Sequence, residues 1–187
     1  MKLPLTYLII LLSFQSYAST NLKKPEAIDF SRQLTEKATP LEISDISIEK
    51  NQVFEIEKDR IYIGTLIPAE GFYKKYNPLC FIGWSTDKKK ISNIVPSIGQ
   101  GDFENSTCLS LDAVGKIDVR DKTFIGFVYT VGLRDRRAKN YFLIEIDKDK
   151  KTITDKSTTV DELQNNGEKK SISSLRKYLE NTNEKKE

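Results

Sequence analysis

The sequence predicts an α+β domain that is mostly antiparallel β, with a helix near each end of the chain. The first observation is the stretch from Thr123 to Asp147, where two apolar, β-rich runs flank a short charged connection, as in an antiparallel hairpin. The second is a period-two alternation of apolar residues after residue 41, whereas helical spacing occurs before it and near the end of the chain. The pattern leaves open whether the strands form a sandwich-like pair of sheets, a barrel or one extended sheet.

Residues 1–18 have the parts of a secretory signal peptide. A positive start is followed by an apolar run from Leu3 to Phe14 and by the small-x-small sequence Ser16-Tyr17-Ala18. A membrane anchor is the alternative, and it is disfavoured because the run is shorter than the roughly 20 residues that span a bilayer. We therefore expect a cleaved signal, and a mature protein that is not embedded in a membrane because no second apolar run follows.

Composition and charge favour a secreted protein that does not bind nucleic acid. Loss of Lys2 with the signal leaves 29 Lys and Arg side chains against 27 Asp and Glu, a balance unlike that of nucleic-acid binders. The abundance of Lys, Ile and Asn indicates a bacterial periplasm. In the extracellular alternative, Asn105 would be a glycosylation acceptor. The two cysteines, Cys80 and Cys108, are predicted to form a disulfide in this oxidising environment.

Start and stop signals place the elements in order within one globular domain, residues 19–180. A first helix is predicted over Pro25–Ala38, with proline in its first turn. Strands are predicted at Ile43–Ile48, Val53–Glu57, Ile61–Ile67 with Pro68 as its end, Leu79–Trp84 and Ile91–Val95, before the hairpin. Then Thr159 to Glu162 fits a capping box for a helix that Gly167 would stop, Ser171 would cap a last helix, and residues 181–187 would form a disordered tail.

Two parts of the chain resemble each other at one offset. Lys58–Gly64 (KDRIYIG) aligns with Arg120–Gly126 (RDKTFIG) at an offset of 62, and the later strands align at the same offset. One interpretation is a duplicated β-meander, with repeats at residues 52–95 and 114–155. The alternative is convergence, because β-turns reuse Asp, Gly and Lys for backbone reasons. In this alignment Cys80 faces the core.

Most catalytic chemistry lacks its residues in this sequence. The absence of histidine excludes Ser-His-Asp and Cys-His catalysis and His-ligated zinc. Ser-x-x-Lys occurs three times, but without the companion motifs of penicillin-recognising enzymes. We therefore expect a non-enzymatic protein with no catalytic residues, metal or cofactor. A hydrolase that uses carboxylates alone is an alternative.

Two basic loops supply the candidate binding residues. They are residues 68–78 and 132–139, which join equivalent strands in the repeat alignment and are expected at equivalent edges. The candidates are Tyr73, Lys74, Lys75, Tyr76, Arg134, Asp135, Arg136 and Arg137. Tyr and Arg are enriched at binding hot spots. The simpler explanation is that the charged tips are solvated and the tyrosines pack on the sheet edge.

The leading functional hypothesis is an exported binding protein. It would be a periplasmic inhibitor or immunity protein that neutralises a toxin or cell-wall enzyme by placing a basic loop against an acidic cleft of this protein partner. The alternative is an envelope component that binds an anionic ligand, such as lipid A or wall polymer, through the same loops. Steep loss of binding with rising salt would favour the anionic ligand.

Overall fold

The computed structural model describes residues 20–25, 29–166 and 169–184, without the side chains of residues 183 and 184. The predicted signal peptide lies outside the described residues, and residues 181–184 of the predicted tail continue the last helix. Over the described residues, the chain is mostly antiparallel β with short helices near both ends, which confirms the predicted fold class.

The elements follow one another in a simple order. The strands are β1 (Thr20–Lys23), β2 (Ile43–Ile48), β3 (Phe54–Lys58), β4 (Ile61–Tyr73), β5 (Asn77–Ser85), β6 (Asn93–Ile98), β7 (Thr107–Val119), β8 (Lys122–Gly132), β9 (Arg137–Asp147) and β10 (Thr152–Asp155). The helices are α1 (Ser31–Ala38), α2 (Asp161–Asn165) and α3 (Ile172–Glu184).

The strands form two antiparallel sheets. The first has the order β1-β3-β4-β5-β6, and β2 pairs with β4 beyond the end of β3. The second has the order β10-β9-β8-β7. Strands β3 to β6 and strands β7 to β10 are therefore two meanders of the same connectivity. That they arose by duplication stays a prediction.

The two sheets pack face to face and have helices on their outer faces. Ile82 and Trp84 of the first sheet share one buried cluster with Phe127 and Ile144 of the second. Helix α1 covers the outer face of the first sheet, and α2 and α3 cover that of the second. The result is a sandwich with four layers. The central strands are covered on both faces, which explains their apolar runs.

Covalent and polar links join the sheets at both ends. Cys80 of β5 and Cys108 of β7 form the predicted disulfide, with Cα atoms 5.6 Å apart, and Cys80 lies in the shared core. At the other end of β5, the Trp84 Nε1–H donates to the Lys151 carbonyl at 2.8 Å. The Lys151 ammonium donates to the Tyr62 carbonyl of β4 at 3.0 Å. These links fix the two sheets relative to one another.

Strand β4 continues through Pro68, which the sequence predicted to end it. Pro68 lies where the neighbour of β4 changes from β3, which pairs up to Leu66, to β2, which pairs from Ala69. Its carbonyl accepts a hydrogen bond from the Glu49 N–H at 2.9 Å on that side. The missing N–H of the proline faces this junction, so no ladder bond is lost.

The first helix begins later than predicted. It starts at Ser31 and not near Pro25, because the Asp29 carboxylate accepts hydrogen bonds from the Ser31 N–H at 2.9 Å and from its hydroxyl at 2.6 Å. These local bonds stabilise a turn before the helix.

The caps of the later helices differ in outcome. The Ser171 hydroxyl accepts from the Ser174 N–H at 3.1 Å, which confirms the predicted cap of α3. The capping box predicted before α2 is wrong, because the Thr159 hydroxyl donates to the Lys156 carbonyl at 2.7 Å within a 3-10 turn. Strand β6 begins at Asn93, two residues later than predicted.

Candidate binding surface at one end of the sandwich

Three connections emerge at one end of the sandwich, which we call the loop end. They are the β4–β5 turn (residues 74–76), the β6–β7 connection (residues 99–106) and the β8–β9 turn (residues 133–136). The disulfide lies near this end, since Cys80 and Cys108 are close to the starts of their strands. Both predicted loops are therefore at the same end, and a third connection that the sequence did not indicate lies there as well.

The β4–β5 turn divides its candidates into anchored and projecting side chains. Tyr73 is half-buried against the cluster under α1. The Lys74 ammonium lies 5.1 Å from the centre of the Tyr73 ring and 3.9 Å from the Glu42 carboxylate. Tyr76, in contrast, is 83% exposed, and Lys75 is also exposed. The simpler explanation, in which both tyrosines pack on the sheet, is therefore correct for Tyr73 and wrong for Tyr76, whose aromatic ring is exposed.

The β8–β9 turn carries a concentration of cations. The Leu133 N–H donates to the Arg136 carbonyl at 2.8 Å and closes the turn. Arg134, Arg136 and Arg137 are exposed, and within the described part of the chain none of them pairs with a carboxylate. Three guanidinium groups are therefore available to an acidic partner, with Asp135 as the acidic residue of the same turn.

The β6–β7 connection lies between these two turns and is packed onto the sheets. Gly99 has φ +96°, and a Cβ there would lie 2.5 Å from the Pro78 carbonyl oxygen, so only glycine allows this close approach to β5. The Phe103 ring packs edge-on against Phe142 of the core, with centroids 6.1 Å apart. Phe103 thereby holds the connection against β9.

Two clefts flank this connection and share Ser106 as a lining residue. The smaller, with a volume of about 320 Å³, lies on the side of Tyr73. The larger, with a volume of about 650 Å³, lies on the side of Arg136, and we call it the basic cleft. Its charged lining residues are Arg136, Lys139, Lys169, Lys170 and Asp102. The loop end is thus a continuous, indented and mainly positive surface.

Neither cleft contains a pair of described carboxylates of the kind that carboxylate-based hydrolases use. Each cleft has a single described carboxylate, Glu104 in the smaller and Asp102 in the basic cleft. Elsewhere, burial raises the pKa of Glu49, and the charge of Glu70 raises it further. A raised carboxyl pKa suits a general acid, but Glu49 lines neither cleft. Among the described residues, no group of three or more His, Cys, Asp or Glu side chains could hold a metal ion.

Comparisons with protein-family models, curated proteins and solved structures find no match to this chain. Among the described residues, no helix has the length and apolar character needed to cross a membrane. The function is therefore inferred from the residues of the loop end themselves.

Proposed function

We propose that this chain is an exported, non-enzymatic binding protein that occludes an acidic site of a partner protein with its loop end. In this role it would be a periplasmic inhibitor or immunity protein that neutralises a toxin or a cell-wall enzyme. The observation that carries the proposal is the placement of three unpaired guanidinium groups and the exposed Tyr76 at one end of a rigid sandwich.

The chemistry of the loop end suits a binding surface. Arg combines a fixed fork of donors with a permanent charge, and Tyr combines area with a hydrogen bond at a small ordering cost. Interaction sites are commonly loops held by a rigid scaffold. Here the disulfide and the packing of Phe103 on Phe142 provide that scaffold.

The disulfide also supports the proposed location. Structural disulfides persist in oxidising compartments such as the periplasm and the extracellular space, and they are rare in the cytosol. Cys80 and Cys108 are both buried, and neither is left as a free thiol. This agrees with the predicted signal peptide.

A matched pair of triple variants tests the proposal. R134A/R136A/R137A removes three cations from the loop end, and R60A/K89A/K90A removes three from the opposite end. The oxidised mature proteins would be used as bait in envelope extract, and the affinity for a retained partner would then be measured with purified components. We expect the loop-end variant to bind at least about 30-fold more weakly, the loss of one hot spot. Equal affinities of the two variants would overturn the assignment of the surface.

An envelope component that binds an anionic ligand is the second candidate function, and the basic cleft is the observation that favours it. Affinity for a polyanion would fall steeply as salt rises, whereas a shape-complementary protein complex would persist at moderate salt.

A further inference from the structure

The half of β9 nearest the loop end has an edge that no strand covers. Strand β10 pairs only with Ile144 to Asp147. Closer to the loop end, the Gln164 side chain of α2 takes the place of a strand. Its Oε1 accepts from the Tyr141 N–H at 2.8 Å, and its Nε2 donates to the Lys139 carbonyl at 3.2 Å. The N–H of Lys139 points to the same edge as its carbonyl, because both groups of one strand residue lie on one side. Because it points away from β8, it takes no part in the β8–β9 ladder, and outside the strands no carbonyl of a described residue accepts from it.

The position of Gln164 also fixes the orientation of Asn140. The Tyr141 N–H can only donate, so the Gln164 atom that faces it is the oxygen, and Nε2 must face Asn140. Asn140 therefore accepts with Oδ1, at 2.8 Å from that Nε2. Its Nδ2 makes no hydrogen bond with a described residue, although Asn140 is only 9% exposed and lines the basic cleft. A nearly buried side chain thus keeps two donors without acceptors.

The charges around these donors are unbalanced. The Lys139 ammonium is engaged by Asp112 and by the Thr130 hydroxyl at 2.7 Å, so it does not serve the cleft. Three other cations line the cleft against one carboxylate: Arg136, Lys169 and Lys170 against Asp102. The described lining therefore has an excess of two positive charges.

Lys170 is the most desolvated of these cations. Burial lowers the pKa of its ammonium, which lies 5.6 Å from the centre of the Tyr141 ring and pairs with no described carboxylate. A bound anion would compensate this desolvation. The cleft also has an apolar wall, made by Phe103 and Leu133.

We propose that the basic cleft binds a phosphate monoester, with Asn140 Nδ2 and the Lys139 N–H as fixed donors and Arg136, Lys169 and Lys170 as counter-charges. A phosphate monoester near neutral pH carries close to two negative charges and three strong acceptor oxygens, which matches the charge excess and the number of donors. A carboxylate would neutralise half of the excess. The volume of about 650 Å³ admits a sugar-sized body beside the phosphate. The site shares Arg136 with the surface proposed above for occlusion, but it does not depend on that occlusion; it deepens the second candidate function by naming the class of anionic ligand.

NMR titration of the ¹⁵N-labelled, oxidised mature protein tests the site at its own donors. Glucose 6-phosphate and inorganic phosphate should shift the Lys139 backbone amide and the Asn140 side-chain amide saturably, and glutamate should not. Vesicles of phosphatidylcholine with phosphatidic acid, measured by co-sedimentation against vesicles without it, show whether the monoester is carried by a lipid. Binding of glucose 6-phosphate or of the vesicles with phosphatidic acid supports the proposal and identifies the source of the phosphate monoester. Binding of neither overturns it.

Variants separate the site from general electrostatic attraction. K169Q/K170Q should weaken binding of the responding carrier at least tenfold, and the matched double variant K89Q/K177Q, whose charges lie outside the cleft, should change it less than twofold. N140D keeps the oxygen that Gln164 requires but removes both N–H groups of Asn140 Nδ2, and should abolish binding. If N140D does not fold, the two lysine variants decide. Equal weakening by both lysine variants would overturn the proposal.

Discussion

The disulfide is predicted to contribute a large share of the stability of this protein. Cys80 and Cys108 are 28 residues apart in the sequence, and their loop encloses most of β5, all of β6 and the β6–β7 connection. For a loop of this length, the chain-entropy relation gives about 12 cal/mol/K, or about 3.5 kcal/mol at 25 °C. The variant C80A/C108A removes this constraint on the unfolded chain.

The expected cost can be measured directly. Urea unfolding, followed by the fluorescence of Trp84, the one tryptophan of the sequence, should show a free energy of unfolding lower by about 3.5 kcal/mol. The melting temperature should fall by about 7 to 14 °C for a domain of this size. One transition should remain, because the shared core joins the two sheets. A loss below about 1 kcal/mol, or separate transitions of the two sheets, would contradict this prediction.

Two further variants test packing and charge. A Cβ at Gly64 would lie 2.2 Å from the Trp84 ring, so G64A should cost about 2 to 3 kcal/mol by urea unfolding. The control G132A, whose Cβ would lie 3.4 Å from its nearest neighbour, should change the free energy of unfolding by about 1 kcal/mol or less, because alanine is favoured over glycine within a strand; equal costs of the two variants would contradict the packing. Burial raises the pKa of Asp112, but hydrogen bonds from Lys139, Thr130 and Ser110 outweigh it and hold the pKa below its usual value. The ionised Asp112 therefore stabilises the folded state above the pKa that this carboxyl has in the unfolded chain, and this stabilisation is lost as pH falls through its pKa in the folded state. D112N should cost about 1 kcal/mol or less at pH 7, and this cost should disappear as pH falls through the folded pKa of Asp112; a cost that does not change with pH would refute this assignment.

The sequence predicts the central strands well because burial on both faces leaves a strong local pattern. The alternation that places Cys80, Ile82 and Trp84 on one face needs no knowledge of the partner sheet. The prediction that Pro68 ends β4 is wrong, because a proline is tolerated there only where β2 and β3 meet end to end beside β4, and no local pattern contains that arrangement.

The candidate site is only partly predictable for the same reason. The exposed cations of the β8–β9 turn and Tyr76 follow from turn composition. The β6–β7 connection has no counterpart in the repeat alignment, and Gly99 is required because its φ is positive and the Pro78 carbonyl lies against it. The Gln164 and Asn140 contact joins residues 24 apart and exists because β10 is too short to cover β9.

Site-specific photo-crosslinking tests most directly whether the loop end is the binding surface. The photoreactive residue p-benzoylphenylalanine would replace Tyr76 in one protein and Ile61, which is 62% exposed at the opposite end, in another. Both proteins would be irradiated in envelope extract. We expect a discrete protein adduct from position 76 that is lost with R134A/R136A/R137A, and none from position 61. An adduct from position 61 alone, or from neither position, would contradict this expectation.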